Sequence, residues 1–260
     1  MNDAIKQDIK RTYAKIALSG NSESCCMPGD CGCSAAQPAQ VAETLGYDSR
    51  ELGAIPKESI LGVGCGAPLN FADIKEGETV VDLGSGAGID VFLAANRVGK
   101  NGRAIGIDMT DEMLEKAGRN AVDNRYANVE FRKGDIEKSM PVDGDSVDLV
   151  ISNCVINLTT SKADAFREVH RILKDGGRMV ISDLVTSREV EPEAADASKW
   201  CSCIDGALTK ENYLASIRQA GFRDVKVLSE RQYMDADQTG GRTITSLIVK
   251  AVKQLTSHKQ

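Results

Sequence analysis

The fold class is indicated most clearly by one segment, Val80-Val81-Asp82-Leu83-Gly84-Ser85-Gly86-Ala87-Gly88. Its first half is apolar, as in a buried strand, and its second half is a glycine-rich turn that opens a helix. Glycines let the backbone approach a ligand closely, and the first turn of a helix presents N–H groups to that ligand. The spacing is G-x-G-x-G and not the G-x-G-x-x-G of dinucleotide-binding proteins. The stretch therefore predicts a strand–loop–helix unit with a ligand at its turn.

Strand-like and helix-like patterns alternate on either side of this turn. Apolar runs predict strands at 80–83, 104–107, 129–131, 147–152 and 179–182, and helical spacing predicts helices at about 88–98, 110–124 and 161–173. Such alternation implies a parallel sheet with right-handed crossovers. Outside this core, the pattern predicts helices at 1–20, 191–205 and 210–221 and strands at 225–228 and 244–252.

Acidic residues stand at the ends of the next two predicted strands. Asp108 closes the second strand, 20 residues after Gly88, where an acidic side chain binds ribose hydroxyls. Gly134-Asp135-Ile136 follows the third strand, and an Asp there can accept a hydrogen bond from an adenine amine. Because ligands bind at the carboxyl edge of such sheets, the three features together predict one cofactor site.

The arrangement D-L-G-S-G-A-G, G-I-D-M and G-D-I resembles the class I S-adenosylmethionine-dependent methyltransferases over about 79–185. The resemblance implies an α/β fold with a Rossmann-like sheet of seven strands, mostly parallel, of which the last is antiparallel. It implies S-adenosylmethionine as the cofactor. The expected cofactor-binding residues are Asp82, Gly84, Ser85, Gly86, Gly88, Asp108, Met109, Asp135, Ile136 and Asn153.

Composition narrows the class of protein further. The chain has 260 residues, enough for one large domain or one domain with a modest extension, and its net charge of −6 disfavours a nucleic-acid scaffold. The first 20 residues are charged and amphipathic, and no run of 18 apolar residues occurs. We therefore expect no signal peptide, no membrane span and a cytoplasmic location. Eight cysteines in a reducing compartment favour a ligand or redox role.

Three cysteines are placed where the predicted sheet would bring them together. Cys65 lies in a glycine-lined loop before the sheet, Cys154 follows the fourth strand, and Cys203 lies in the segment that would cap the site. Each alone also fits a small buried packing residue. Together, three thiolates suit a soft three-coordinate ion, whereas zinc usually takes four ligands with short paired spacings.

Four further cysteines crowd the N-terminal segment, at positions 25, 26, 31 and 33. The segment is small and polar, which predicts a loop that becomes ordered around its ligand. Cys26 and Cys31 have the outermost spacing of a zinc knuckle, so a small zinc site here stays open as an alternative.

The segments L-G-V-G-C-G-A-P around Cys65, S-N-C-V-I-N-L around Cys154 and C-I-D-G-A-L around Cys203 resemble the arsenite methyltransferases. This resemblance runs from about Lys10 to Gly221. It implies that these three cysteines bind trivalent arsenic and take part in catalysis together with an N-terminal cysteine, for which we take Cys26. It also implies a small arsenical substrate, arsenic detoxification, and an external thiol reductant, thioredoxin or glutathione.

The expected organisation is a Cys-rich segment at 1–70, a cofactor-binding core at 71–185, and a cap with the final strands at 186–260. Trivalent arsenic carries its own lone pair and needs no general base, and neither His170 nor His258 stands where a base would be needed. Two alternatives remain open: a methylase of an organic, quinone-type substrate, and a non-enzymatic thiol-based binder of soft metals. Cys201 is an extra thiol that competes with Cys203 for the same role.

Overall fold

The computed structural model describes residues 2–19, 37–190 and 200–255. The four N-terminal cysteines, Cys26 among them, lie outside the described residues, as does most of the helix predicted at 191–205. The strands are β1 Thr79–Leu83, β2 Arg103–Asp108, β3 Val129–Lys133, β4 Val147–Asn153, β5 Leu173–Thr186, β6 Phe222–Met234 and β7 Ile244–Lys253. The helices are α1 Asn2–Ser19, α2 Pro38–Leu45, α3 Ser49–Gly53, α4 Ile89–Val98, α5 Asp111–Asp123, α6 Lys162–Ile172 and α7 Lys210–Gln219.

The seven strands form a single sheet in the order β3-β2-β1-β4-β5-β7-β6. β7 runs antiparallel to both of its neighbours, and the other pairs are parallel. This is the predicted seven-stranded α/β sheet with an antiparallel last strand, so that prediction is confirmed. The division at 70 and 185 stays a prediction, although the last two strands belong to the same sheet as the core.

The central strands are apolar along nearly their whole length because helices cover both faces of the sheet. Successive side chains of a strand point to opposite faces, so Val81 packs in one core cluster and Val80 in the other. Phe166 anchors the first cluster and Phe92 the second, both with no exposed surface. Burial of one such side chain contributes about 1.5–3 kcal/mol to stability.

A third, smaller cluster lies beyond the carboxyl ends of the central strands. It joins side chains from seven separate segments: Ile9, Cys65, Cys154, Leu158, Leu184, Cys201, Cys203, Met234 and Ile244. The remaining face of the cluster is contacted by α1, whose Ile5 and Tyr13 pack against it. The sheet therefore brings four of the eight cysteines into one apolar environment.

Two strands are longer than the sequence indicates. β5 was expected at 179–182 and spans Leu173–Thr186, and β6 was expected at 225–228 and spans Phe222–Met234. β7 pairs with both strands over most of their length. The hydrogen bonds to β7 keep β6 extended even where its charged residues show no strand pattern. None of the helices in the described ranges combines the length and apolar character that a membrane span requires.

Candidate active site

A cleft of about 820 Å³, partly open to solvent, lies at the carboxyl ends of β1 to β4. Of the ten residues predicted to bind the cofactor, those that line it are Gly84, Gly86, Asp108, Met109, Asp135, Ile136 and Asn153. Cys154 also lines the cleft, and α1 contributes Lys6, Ile9 and Tyr13. The cleft thus connects the predicted cofactor positions with one of the predicted arsenic-binding thiols.

The three glycines of the loop after β1 have different structural reasons. All three have positive φ, which favours glycine. A Cβ at Gly84 would lie 2.4 Å from a methyl of Val155, so the close approach to the loop after β4 requires glycine. Gly86 is open, with its nearest atom 3.9 Å away on Met113. Gly88 faces Phe92 and Phe131 and serves the packing of α4, away from the cleft.

Two backbone N–H groups orient the carboxylate of Asp108 at the wall of the cleft. Its Oδ2 accepts a hydrogen bond of 2.9 Å from the N–H of Gly86, and its Oδ1 accepts one of 2.8 Å from the N–H of Thr110. Burial raises the pKa of this carboxyl, and the same two N–H groups act against that rise. The carboxylate also lines the cleft, where an acidic side chain at the end of a second strand can bind ribose hydroxyls.

The N-terminal helix reaches the other end of the cleft. Lys6 of α1 donates a 2.7 Å hydrogen bond to Asp135 and also forms an ion pair with Glu137. Burial acts to raise the pKa of Asp135, but the Lys6 ammonium and the N–H of Glu137 hold it below its usual value. This contact could not be predicted from the sequence because 129 residues separate the two partners.

Behind the glycine loop, Asp82 and Asp90 form a buried acidic pair. Asp82, predicted to bind the cofactor, lies with Ser85 at a second cavity behind the loop. Burial raises the pKa of Asp82 well above its usual value, and the charges of Asp90 and Asp108 raise it further. Burial also raises the pKa of Asp90, to about 6, against hydrogen bonds that favour its charged form.

A chain of hydrogen bonds connects this pair to Cys65. The Tyr47 hydroxyl lies 2.9 Å from both oxygens of Asp90, and Asn153 Nδ2 donates to that hydroxyl at 2.9 Å. Asn153 Oδ1 in turn accepts a 3.0 Å hydrogen bond from the N–H of Cys65, and Nδ2 also donates to the carbonyl of Gly66. Neither Tyr47 nor Asp90 was identified from the sequence, since both fall in ordinary helical or turn contexts.

Cys65, Cys154, Cys203 and Asp183 form what we call the thiol pocket. The thiols of Cys65 and Cys154 and a carboxylate oxygen of Asp183 all lie within 4.8 Å of one another, and all three residues are buried. The proximity follows from the sheet register, because Cys154 N–H donates to the carbonyl of Ser182 on the neighbouring strand. The Sγ of Cys203 donates to the carbonyl of Cys154 at 2.8 Å.

Two of these cysteines have an uncommon backbone conformation. Cys154 has φ +62° and Cys203 has φ +65°, in the left-handed region that few residues with a side chain adopt. Such strain persists only where the surrounding structure determines it, and it concentrates at functional sites. The extra thiol, Cys201, is also buried, and the Thr12 hydroxyl of α1 lies 3.8 Å from its Sγ.

Asp183 is the residue of the thiol pocket that the sequence did not indicate. Its Oδ1 accepts a hydrogen bond from the N–H of Leu184, and its Oδ2 accepts one from the N–H of Asn157 and one from the Tyr213 hydroxyl. Burial raises its pKa to about 7, although the charge of Lys162 opposes the rise. Asp183 directly follows the strand predicted at 179–182, but an Asp at a strand end does not by itself indicate that cysteines lie beside it.

Residues 74–221 match a family described as "Methyltransferase domain". They include the glycine loop, Asp108, Asp135 and both Cys154 and Cys203. The chain belongs to the S-adenosylmethionine-dependent methyltransferases. The cleft of this methyltransferase fits that cofactor, since the glycine backbone after β1 lines it and the Asp108 carboxylate lies at its wall.

The methyltransferase is similar to proteins named "Arsenite methyltransferase". It is 39% identical to one from Halobacterium salinarum over 95% of this chain and 66% of that protein, and 37% identical to one from Homo sapiens over 61% of this chain and 44% of that protein. A solved arsenic (III) S-adenosylmethionine methyltransferase from Chlamydomonas reinhardtii superposes with a TM-score of 0.67 at 31% identity, covering 85% of this chain and 75% of that one. The chain thus spans between 44% and 66% of the length of these two curated relatives.

Proposed function

We propose that the chain transfers a methyl group from S-adenosylmethionine to trivalent arsenic held by the thiolates of Cys65, Cys154 and Cys203. The observation that carries this proposal is that Cys65, Cys154 and Cys203 are buried in one cluster, which opens through Cys154 onto the cofactor cleft. An organic acceptor would not call for such a group, whereas soft thiolates are the preferred ligands of a soft ion. The names of the relatives agree with this acceptor.

When bound, S-adenosylmethionine supplies an electrophilic methyl on a sulfonium. In our proposal, Asp108 accepts both ribose hydroxyls, and the backbone at Gly84 and Gly86 faces the cofactor. Asp135 accepts the adenine amine in place of part of its contact with Lys6. Lys6 can remain paired with Glu137 throughout, which leaves α1 over the cleft.

The thiol pocket fixes the direction of attack. Three thiolates complete the coordination of trivalent arsenic, and the pocket must direct the lone pair of arsenic at the methyl carbon. The new arsenic–carbon bond takes that lone pair, and the electrons of the broken carbon–sulfur bond stay on sulfur. No proton leaves arsenic in this step, so no general base is required.

Methylation formally leaves arsenic pentavalent, and the thiols can return it to the trivalent state. Two site cysteinates supply two electrons by closing a disulfide, and an external thiol reductant then reopens that disulfide by exchange and is itself oxidised. We propose thioredoxin or glutathione as the reductant and Cys26 as the N-terminal thiol of this relay. Both fit a cytoplasmic enzyme of arsenic detoxification, because the cytoplasm keeps thiols reduced.

The test is an incubation of the full chain with arsenite, S-adenosylmethionine and a thiol, followed by arsenic speciation. We expect methylated arsenic, and we expect Cys203→Ser to abolish it while S-adenosylmethionine binding is retained. Cys201→Ser is the matched control, since it removes a buried thiol two residues away. Its effect should be much milder.

Three outcomes would contradict the proposal in different ways. Methylation of a quinone-type acceptor that is indifferent to Cys65, Cys154 and Cys203 would indicate an organic substrate. Arsenic binding without formation of S-adenosylhomocysteine would indicate a binder. Full activity of Cys203→Ser together with loss in Cys201→Ser would move the third thiol to Cys201.

A further inference from the structure

The group of ligand atoms that lies closest together in the thiol pocket is not a set of three thiols. It consists of the Sγ atoms of Cys65 and Cys154 and a carboxylate oxygen of Asp183, within 4.8 Å of one another. Cys203 directs its Sγ at the carbonyl of Cys154 instead. Two sulfurs and one carboxylate oxygen are the ligand types of zinc and are harder, on average, than three sulfurs.

We propose that Cys65, Cys154 and Asp183 form a binding site for one divalent ion of the zinc group, Zn²⁺ or Cd²⁺. The site shares two thiols with the proposed arsenic site but replaces Cys203 by Asp183. Its existence does not depend on the arsenic chemistry, since it follows from the positions of these three side chains.

The distances allow the ion to bind with small side-chain movements. Zinc lies about 2.3 Å from sulfur and 2.0–2.2 Å from carboxylate oxygen in tetrahedral sites, so its ligands are separated by roughly 3.5–3.8 Å. The three ligand atoms are within 4.8 Å already, and each pair needs to approach by about 1.3 Å or less. Three protein ligands leave the fourth position to a water molecule.

The surroundings of the carboxylate favour this role. Within the described residues, Oδ1 of Asp183 accepts a hydrogen bond from the N–H of Leu184 and retains a lone pair for a metal ion. The other oxygen is fixed by Asn157 and Tyr213. Outer partners of this kind hold a ligating carboxylate in one orientation and are typical of metal sites.

Charge and access are also compatible with a divalent ion. Two thiolates and one carboxylate carry three negative charges, and the ammonium of Lys162 acts on Asp183 as a fourth, positive group. A divalent ion therefore leaves this buried set close to neutral, which low-dielectric surroundings require. Cys154 lines the open cleft and gives the ion a path to the site.

The test measures Zn²⁺ affinity in the absence of S-adenosylmethionine and arsenic, by competition with a chromophoric chelator. The background is the full chain with Cys25, Cys26, Cys31 and Cys33 replaced by serine, so that the N-terminal thiols do not contribute. We expect one bound Zn²⁺, a loss of affinity of about tenfold or more in Asp183→Asn, and no binding in Cys154→Ser. Cys203→Ser and Cys201→Ser should bind Zn²⁺ as the background does.

Far-UV circular dichroism of each variant verifies that it folds, and X-ray absorption of the zinc-loaded background protein tests the site without any change at Asp183. Two sulfurs and at least one oxygen per zinc are expected. Three sulfurs per zinc, or unchanged affinity in a folded Asp183→Asn variant, would overturn the proposal. Loss of methylation in Cys203→Ser with zinc binding intact would separate this site from the arsenic site, whereas failure of arsenite methylation alone leaves the zinc result unaffected.

Discussion

The cofactor cleft and the thiol pocket share one edge of the sheet, but they are built in opposite ways. On the cofactor side, the predicted residues lie at the carboxyl ends of β1 to β4 or in the loops that follow them, as with Asp108 at the end of β2. On the thiol side, Cys65 is separated by more than a hundred residues from both Asp183 and Cys203. The cofactor cleft thus depends on local sequence motifs, whereas the thiol pocket depends on contacts between segments that are distant in sequence.

Two contacts connect the regions. Gly84 of the cofactor loop packs against Val155, the residue after Cys154. Asn153 joins Tyr47 and the Asp90 carboxylate to the backbone of Cys65. A change at either contact should therefore affect both regions, whereas a change within one region should affect only that region.

The largest effect is expected for Cys65→Ser and is confined to the thiol side. Arsenite needs three thiolates, but methylarsenite brings a carbon ligand and can be held by Cys154 and Cys203 alone. Methylation of arsenite should fall on the order of a hundredfold or more, because a hydroxyl is a harder and far less acidic ligand. Methylation of methylarsenite should be largely spared. Equal loss on both substrates would contradict the two-thiolate account.

Next comes Gly84→Ala, which acts at a contact between the regions. The new methyl would meet Val155 at 2.4 Å and the residue has φ +67°, so strain and overpacking of about 3 kcal/mol should weaken S-adenosylmethionine binding by roughly a hundredfold. Gly86→Ala is the matched control, with similar φ but no atom nearer than 3.9 Å. Titration calorimetry compares the two variants, and equal losses of affinity would show that the contact with Val155 does not determine the effect.

Asp108→Ala tests the cofactor side in isolation. Removal of a charged acceptor of two ribose hydroxyls should lower the affinity for S-adenosylmethionine by about tenfold or more, at roughly 1.5–3 kcal/mol per bond to a charged group. Binding of arsenite to the thiols should be unchanged. Calorimetry with each ligand separately measures this, and unchanged cofactor affinity would place the ribose elsewhere.

The smallest effect concerns stability at the junction. The folded-state pKa of Asp90 is raised to about 6, above the value of about 3.9 in an unfolded chain, so the folded state loses stability as pH rises from 4 to 6. Asp90→Asn removes that loss, and its advantage over the wild type should grow across this window by about 3 kcal/mol at most and then stay constant. Part of the gain comes through Asp82, whose pKa the Asp90 charge raises.

Urea denaturation of both proteins at several pH values between 4 and 8 measures this difference. Unfolding curves that remain parallel across the whole range would show that the Asp90 carboxyl titrates normally. A maximum of the difference below pH 4 would give the wrong sign for a raised pKa.

The sheet, the glycine loop and the cofactor positions at the sheet edge could all be predicted from the sequence alone. Alternating strand and helix patterns are short-range signals, and parallel crossovers of one hand bring successive strand ends to the same edge, so Gly84, Asp108 and Asp135 could be placed without coordinates. The sequence also indicated that Cys65, Cys154 and Cys203 are close to that edge, although their roles as ligands stay predictions.

The contacts between side chains from distant segments became apparent only in the tertiary structure. Asp183 faces Cys154 because β5 pairs with β4 in one register, and Lys6 reaches Asp135 because α1 packs across the cleft. Neither partner leaves a trace in local sequence, since a buried Asp in a strand and a Lys on a helix are each compatible with many surroundings. Contacts between distant segments depend on how whole elements pack, and local preferences contain no information about that packing.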